Sequence, residues 1–461
     1  MLKKIDTVFY KTALSLALPI ALQNLLTSCG TLIDTAMVVS LGDYAVSAMG
    51  AAGRFSFLLN IMGFGFASGC TSLLSQYWGA KDSKNLSRTF GFGLCLSMGL
   101  SLVYALMLLL FPATLMRLFT DNDYTAMLGG EYLRIYAFAV PFVMFSQICS
   151  FSFRSIERVV VPLISSVVSV LSNVFFNYCF IFGNFGFPEL KLKGAAIATV
   201  IGSAVQALIL LGFLVFRANP LKSKLSNMVA FDKSFCKGYA KIALPVLLNE
   251  TLWGVGTNVY AMVLGRQGVE NHAGYTLYEN VQQLFFVFFV GICGACAIMV
   301  GKSIGAGDHE GGYLIAKRFA VMTPLMGVVL GAVLFFTCDP LVSLFDVETE
   351  AARNAALGCL RFYGVWLPMR MIPYTLICGI FRAGGDTMAG WVLDMIGLYA
   401  CGIPAVLITG FLIRPENFVV IVAVMFMSED IIKGILGMKH FFSKKWIKQI
   451  TDKKTEVNET K

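Results

Sequence analysis

Charged residues are scarce in this chain of 461 residues, since Asp, Glu, Lys and Arg make up only 14% of the sequence. Soluble globular proteins contain about 25% of these residues. Only three histidines are present, and the twelve cysteines are scattered through apolar segments without disulfide-framework spacing. These shortages argue against a soluble protein with an ordinary charged surface and against a small disulfide-stabilised domain.

Sequence motifs of enzymes are also missing. We find no HExxH or GxSxG pattern and no Cys/His metal cluster. Gly301-Lys302-Ser303 resembles the end of a P-loop, but Cys296 stands where the first glycine is required. Cys293 and Cys296 form one CxxC without a partner pair, and we interpret them as packing residues. The sequence predicts a protein that is not an enzyme, that has no cofactor and that lacks an ATP-binding domain.

Long apolar runs dominate the chain instead, which is 57% hydrophobic with a mean hydropathy of +0.74. A bilayer requires about 20 apolar residues per helical span, and only helices or closed barrels satisfy their backbone groups in lipid. The sequence therefore predicts an all-α integral membrane protein with twelve transmembrane helices. The predicted spans are 12–40, 54–77, 90–111, 132–153, 160–183, 194–216, 239–265, 278–301, 316–338, 358–381, 388–413 and 417–438.

Positive charge is distributed unevenly between the two sides of these spans. Of the 36 Lys and Arg residues, 26 fall on the side of the N-terminus, nine on the other side and one, Arg370, within a span. Cytoplasmic loops are enriched in Lys and Arg, so both termini are predicted to be cytoplasmic in a bacterial plasma (inner) membrane. The net charge of +9 is then explained by topology and by contact with membrane lipids, rather than by nucleic acid.

The second half of the chain repeats the first. With a shift of 226 residues, and two single-residue slips, the register holds over about 140 residues. The matches include Ala17-Leu18-Pro19 with Ala243-Leu244-Pro245, Gly79-Ala80-Lys81-Asp82 with Gly305-Ala306-Gly307-Asp308, and Phe153-Arg154 with Phe381-Arg382.

This repeat predicts the domain organisation. Residues 1–216 are expected to form an N-terminal six-helix lobe and residues 242–440 a C-terminal one. Residues 217–241, which carry six basic residues, are the predicted cytoplasmic linker, and 441–461 form a basic cytoplasmic tail. Parallel repeats of this kind place substrate and ion sites near the membrane midplane.

Four motifs in order resemble the multidrug and toxic compound extrusion (MATE) family over roughly residues 10–440. They are Leu32-Ile33-Asp34-Thr35-Ala36-Met37 after Ala17-Leu18-Pro19, Gly79-Ala80-Lys81-Asp82, Gly194-Ala195-Ala196-Ile197-Ala198-Thr199, and Phe381-Arg382-Ala383-Gly384-Gly385-Asp386-Thr387. The resemblance implies a cation-coupled antiporter with two pseudo-symmetric six-helix bundles in a V around a central cavity. Such proteins export organic cations or amphiphiles in exchange for Na⁺ or H⁺.

The chain departs from that family pattern at its acidic positions. Many members carry an acid on span five one turn after an Asn, and here the pair is Asn173 and Asn177. Many also carry an acid in span ten near Arg370, and here none is present, whereas Asp394 lies on span eleven. The first half has Ser155-Ile156-Glu157-Arg158 where the second has Ala383-Gly384-Gly385-Asp386. The coupling ion therefore stays open at this point.

Asp34 is the leading candidate for ion coupling, because an ionisable residue within a span is costly and functional by default. It ends a polar face of span one that also contains Asn24 and Thr31. Asn173 and Asn177 on span five offer oxygen atoms that complete a Na⁺ site, and a buried carboxylate also serves as a proton carrier. Pro19 removes a backbone hydrogen bond below this face and predicts a kink.

In the second half, Glu250 and Asp394 are further candidates for cation coupling. Trp253, Thr257 and Tyr260 follow the face of Glu250, and with Asn24, Thr31 and Arg370 they are predicted to line the substrate cavity. Arg370 and Asp394 are expected to form an ion pair, with either a structural or a proton-relay role. Glu429 and Asp430 are expected to act structurally with Lys433.

The leading hypothesis is a monomeric secondary antiporter for a small organic cation or amphiphile. A flippase for a lipid-linked precursor is the alternative, although its phosphates require a cationic cavity and the candidate residues here are mainly acids and amides. An ion channel is the third, although no filter-like loop is present. The sequence does not identify the cargo.

Overall fold

The computed structural model describes residues 2–216, 219–221, 228–343, 345 and 349–451. These residues are almost entirely helical, apart from connecting turns and one isolated β-bridge between Gly385 and Ile447. The helices of the first half are α1 (Leu2–Val39), α2 (Asp43–Gly79), α3 (Ser83–Leu110), α4 (Pro112–Met116), α5 (Asp123–Tyr136), α6 (Val140–Ser155), α7 (Val160–Phe182) and α8 (Leu192–Phe216).

The second half contains long helices interrupted by wider, π-type turns. Such turns occur at Thr375–Phe381, Ile396–Gly402 and Ile408–Ile413. The helices are α9 (Lys233–Gly265), α10 (Val269–Gly305), α11 (His309–Ser343), α12 (Glu350–Tyr374), α13 (Thr387–Met395), α14 (Ile403–Leu407) and α15 (Phe418–Phe442). The π-type turns extend α12 to residue 381 and join α13 and α14 into one span that ends at residue 413.

Each of the twelve predicted spans corresponds to one helical span. Within the described ranges, nine helices are long and apolar enough to cross a membrane, and the pair α5 and α6, bent by 53°, supplies a tenth. The other two, α9 and α15, have 33 and 25 residues but carry charged residues along their length. Glu250 lies within α9, and Lys433 within α15. The twelve-helix fold is confirmed, and α9 and α15 carry candidate functional groups.

The chain divides into two compact units. One contains Leu22–Leu74 and Asp82–Tyr239, and the other contains Met1–Ala21, Ser75–Lys81 and Ala240–Lys461. Each unit has its own apolar core, which includes Tyr104, Leu108 and Tyr136 in the first and Tyr278, Tyr363 and Phe426 in the second.

Pro19 lies inside α1, which continues through it without a break. The division of α1 between the two units falls just after it, between Ala21 and Leu22. The kink at Pro19 stays a prediction.

The repeated Gly-Ala-x-Asp motifs have a structural explanation. A Cβ atom at Gly79 would overlap the carbonyl oxygen of Lys302, and one at Gly305 would overlap the carbonyl oxygen of Gln76. The ends of α2 and α10 therefore cross at a distance that only glycine permits, as small residues allow in membrane helix packing.

The aspartates of the same motifs begin the following helices. Asp82 Oδ1 accepts a hydrogen bond from the backbone N–H of Asn85 at 3.0 Å, and Asp308 Oδ1 accepts one from Gly311 at 2.9 Å. Side-chain capping of this kind satisfies one of the unpaired N–H groups at a helix start. The repeat thus preserves a helix crossing and a helix cap in each half.

The predicted linker 217–241 is described in part, because residues 217–218 and 222–227 lie outside the described residues. Helix α9 already begins at Lys233, within that range. The Phe235 backbone N–H at 2.7 Å and the Arg88 guanidinium at 2.7 Å hold the pKa of Asp232 below its usual value.

The predicted tail 441–461 is described as far as residue 451, and residues 452–461 lie outside the described part. Trp446 in this segment is fully buried, and the backbone N–H of Ile450 donates to Gln76 Oε1 at 2.8 Å. The boundaries of the lobes, the linker and the tail stay a prediction.

We expect Gly79→Ala and Gly305→Ala each to lower the free energy of unfolding by about 1–3 kcal/mol, because the added methyl group overlaps a backbone carbonyl. The melting temperature of the purified protein in detergent measures this. Gly99→Ala is the matched control, since it is a helical glycine with nothing within 4 Å of the place that an added Cβ atom would take. Equal melting temperatures for all three variants would contradict the close crossing.

Candidate functional site

The first candidate site lies between α1 and α7, within one compact unit. Asn177 Nδ2 donates to Asp34 Oδ1 at 2.6 Å. Asn173 lies one helical turn before Asn177, and with its amide nitrogen turned toward the carboxylate it donates to Asp34 Oδ1 at 2.7 Å. The structure therefore brings together three of the five residues that the sequence predicts for cation coupling.

One buried oxygen atom at this site lacks a donor. Asn177 is fully buried, and its Oδ1 atom has no hydrogen-bond partner within the described residues. Buried side-chain polar atoms are nearly always satisfied, so an orphan oxygen beside a carboxylate requires an explanation. A cation coordinated by Asp34 and by Asn177 Oδ1 would supply one, because carboxylate and carbonyl oxygens suit hard cations.

No group of three or more His, Cys, Asp and Glu side chains able to hold a metal occurs among the residues that the structure describes. Any cation at Asp34 is thus held by one carboxylate and neutral oxygens. Such a set suits a monovalent ion that is bound and released.

A second polar cluster in the same unit surrounds Arg154, which is only 8% exposed. Its Nη2 donates to Gln23 Oε1 at 2.6 Å, and Gln23 Nε2 donates to Ser166 Oγ at 2.8 Å. Gln206 Nε2 donates to the same hydroxyl at 3.1 Å. Arg154, Gln23 and Gln206 were not among the residues predicted from the sequence, although the match of Arg154 with Arg382 in the repeat was a usable signal.

The equivalent place in the other unit is ionic. Arg382 Nη2 lies 2.6 Å from Glu250 Oε1, and both side chains are largely buried. Glu250 is therefore the counter-ion of Arg382, a partner that was not predicted from the sequence. Arg154 and Arg382 occupy matching positions of the repeat, and each reaches the first helix of its own half.

Asp394 and Lys433 extend this ionic cluster. Lys433 Nζ lies 2.6 Å from Asp394 Oδ1 and 2.6 Å from Glu429 Oε1. Asn249 Nδ2 donates to Asp394 Oδ2 at 2.8 Å, and the Tyr260 hydroxyl donates to Glu429 Oε2 at 3.0 Å. The expected contact of Glu429 with Lys433 is present, and Lys433 joins α15 to α13.

Arg370 pairs with Asp430 rather than with Asp394. Its Nη1 atom lies 3.5 Å from Asp430 Oδ2, and its guanidinium carbon lies 4.5 Å from the centre of the Phe426 ring. Trp366 Nε1 donates to the same carboxylate oxygen at 2.9 Å. The expected ion pair of Arg370 with Asp394 is not formed, because each side chain has a partner on α15.

Most of the other predicted cavity residues lie outside these clusters, and Tyr260 joins one of them through its hydrogen bond to Glu429. The hydroxyl groups of Thr31 and Thr257 donate to backbone carbonyls of their own helices, those of Thr27 and Gly254. Asn24 is partly buried. Trp253 packs against the apolar core of its unit, in which Tyr260 is buried. A cavity role for these residues and for Arg370 stays a prediction.

Comparison with known proteins gives a consistent result. A profile of the MatE family matches residues 19–179 and 245–408, one segment in each half. "Probable multidrug resistance protein NorM" of Thermotoga maritima is 23% identical over 451 residues, covering 97% of this chain and 96% of the relative. "Probable multidrug resistance protein YoeA" of Bacillus subtilis is 25% identical over 389 residues, covering 84% of each chain.

Solved structures share the fold. An outward-facing multidrug resistance MATE family transporter of the MOP superfamily has a TM-score of 0.84 at 18% identity, covering 94% of this chain and 96% of that one. A MOP superfamily transporter from Pyrococcus furiosus has a TM-score of 0.84 at 17% identity, with the same coverage.

We expect Glu250→Gln to lower the free energy of unfolding by about 3–5 kcal/mol, because it leaves the buried Arg382 without its counter-ion. Asp339→Asn is the control: it breaks the Arg361 pair, whose side chains are 48% and 50% exposed. Exposed pairs contribute about 0–1 kcal/mol. Melting temperatures of the two purified variants test the difference, and similar values would contradict a buried ionic role for Glu250.

Proposed function

The chain belongs to the MatE family, and on that premise we propose that it is a secondary active antiporter. In this proposal it exports organic cations or amphiphilic metabolites in exchange for Na⁺ or H⁺ by alternating access. The relatives named as multidrug resistance proteins support a drug-like cargo. We further propose that a single chain is the transporting unit.

The observation that carries the proposal is the carboxylate of Asp34 with its two amide neighbours. A carboxylate within a membrane helix costs several kcal/mol unless it serves a purpose or is paired. No Lys or Arg is paired with Asp34 in the described part of the chain, and Asn177 is its closest polar partner. Its negative charge is thus available to an external cation.

Competition for that charge gives exchange. When Na⁺ or H⁺ neutralises Asp34, an organic cation loses the electrostatic attraction that holds it, and the converse also holds. Because binding of the inorganic cation and binding of the organic cation exclude each other, release of one ligand in each turnover requires binding of the other. Coupling of this kind is reciprocal and needs no additional site.

The ligands around Asp34 favour Na⁺ over H⁺ at this position. The amide groups of Asn177 and Asn173 lie within hydrogen-bond distance of the carboxylate oxygens. The orphan Oδ1 atom of Asn177 offers a neutral oxygen ligand. A proton on Asp34 would instead compete with the amide donors for the carboxylate oxygens.

Organic-cation movement in proteoliposomes tests the proposal. We expect a Na⁺ gradient to drive export through the wild-type protein, and Asp34→Asn to reduce this flux at least tenfold with unchanged expression. The reason is that an amide has no charge for which Na⁺ and cargo compete. Asp123→Asn is the control, since its carboxylate is 92% exposed and pairs with Arg117 at 3.5 Å.

Three results would count against the proposal. Full export by Asp34→Asn would exclude Asp34 as the coupling residue. Export that a pH gradient alone drives, and that Asp34→Asn abolishes, would assign Asp34 to a proton rather than to Na⁺. Movement with neither gradient would favour a lipid-linked cargo and the flippase alternative.

We also propose that both termini are cytoplasmic, on the strength of the Lys and Arg distribution. Ser234 and Ser40 are both exposed and fall on opposite sides of the predicted membrane. We expect an impermeant maleimide added to intact cells to label Ser40→Cys above the wild-type background and to leave Ser234→Cys unlabelled. The reverse pattern would invert the topology.

A further inference from the structure

The unit that contains α9 to α15 has a buried cluster with more acids than bases. We call it the C-terminal ionic cluster. Its side chains are between 4% and 20% exposed. With all groups ionised, its four carboxylates and three cations give a net charge of −1. Its members are Glu250, Arg370, Arg382, Asp394, Glu429, Asp430 and Lys433.

The excess charge can be assigned to one part of this cluster. Glu250 has Arg382 as its own counter-ion at 2.6 Å, and Asp430 has Arg370 at 3.5 Å. Asp394 and Glu429 are left to share Lys433, which lies 2.6 Å from each. One ammonium group neutralises only one of these two carboxylates.

An uncompensated charge at this depth is expensive. Moving a carboxylate from water into a protein interior costs several kcal/mol even after relaxation. Ionisable groups in such sites are usually neutralised rather than left charged. Two carboxylates that share one site hold a proton between them for the same reason.

Asp394, Lys433 and Glu429, which we call the triad, also have a hydrogen-bond acceptor without a donor beside them. Asn249 is 3% exposed, and its Nδ2 donates to Asp394. Its Oδ1 atom has no partner within the described residues.

The first half of the chain has no acid at the matching place. There, Ser166 receives hydrogen bonds from Gln23 and Gln206, as Asp394 is contacted by Asn249 and Lys433. The cluster around Arg154 and the ionic cluster therefore have the same framework of helices. The carboxylates at this place are specific to the second half.

The backbone around the triad is unusual in a way that fits a functional site. The π-type turn Ile396–Gly402 directly follows α13. Such turns are rare in proteins, and those that occur often lie at functional sites. A Cβ atom at Gly397 would collide with the side chain of Lys433, and one at Gly402 with the hydroxyl of Tyr260. Two glycines in this turn thus make room for two members of the network.

We propose that Asp394 and Glu429 share one proton across Lys433, which makes this triad a proton site separate from Asp34. The proton comes from solvent water and returns to it, so that no other reactant is needed. The role of this shared proton in transport rests on the proposed antiport function, whereas the presence of the proton does not. The other titratable or charged groups that face the triad are Glu250, Tyr260, Arg370, Cys378, Arg382 and Asp430.

Infrared spectroscopy of the purified chain at neutral pH tests the proposal, because a protonated carboxyl has a C=O stretch that carboxylates lack. We expect the wild-type protein to show one such carboxyl that is lost in Asp394→Asn and equally in Glu429→Gln. Lys433→Met should have the opposite effect and add a second protonated carboxyl. Asp34→Asn is the control and should keep the signal, whatever its effect on transport.

Three outcomes would overturn the proposal. They are a carboxyl signal that is unchanged in both Asp394→Asn and Glu429→Gln, a wild-type protein without the signal, and a signal that Na⁺ abolishes, which would make the triad a metal site. Asp394→Asn and Glu429→Gln each remove one negative charge, so the test can be made with either variant if only one of them folds. The assay involves no transport, so failure of the antiport proposal is distinguishable from failure of this one.

Discussion

The cost of leaving a charge unpaired in hydrocarbon determines where the polar side chains of this protein lie. Arg382 and Glu250, Arg370 and Asp430, and Lys433 with its two acids each find partners inside one unit. These pairs in turn fix the rotation of α9, α12, α13 and α15, because a helix turned away would expose a lone charge. Asp34 and Arg154 are the exceptions, since their hydrogen-bond partners are neutral amides.

Duplication of the chain separates what the fold needs from what transport needs. The glycine crossing and the aspartate caps recur in both halves, because helix packing and helix starts impose the same demands twice. The acids within the spans do not recur: Asp34 matches Tyr260, and Glu250 matches Asn24. Ser166 stands where its copy has Asp394, so the repeated helix arrangement forms without an acid at this position. We therefore propose that the unshared acids serve ion handling as well as pairing.

Much of this structure could be predicted from the sequence. Apolar runs of about 20 residues indicated all twelve spans, because backbone hydrogen bonding in lipid leaves few alternatives. Asp34, Asn173 and Asn177 were brought together by helical spacing and by resemblance to a family. The contact of Glu429 with Lys433 followed from their separation of four residues on one helix.

The pairings between distant helices could not be predicted in the same way. Arg154 reaches Gln23 over 131 positions, and Lys433 reaches Asp394 from another helix, so both contacts depend on how the helices rotate and pack. The expected pair of Arg370 with Asp394 failed for this reason: α15 supplies each of them with another partner. Sequence spacing predicts which residues share one face of one helix, whereas an ion pair between two helices also depends on which faces of those helices meet.

The two candidate ion sites differ in the chemistry that each permits. Asp34 combines a single carboxylate with neutral oxygens, which suits an ion that is coordinated and released. In the triad, the ammonium group of Lys433 contacts both acids. This positive charge repels a metal ion, but it does not repel a neutral carboxyl group. A proton suits such a site, because it binds covalently to one carboxylate and turns it into a neutral group. Together the two sites would allow one protein to respond to a Na⁺ gradient and to pH through different residues.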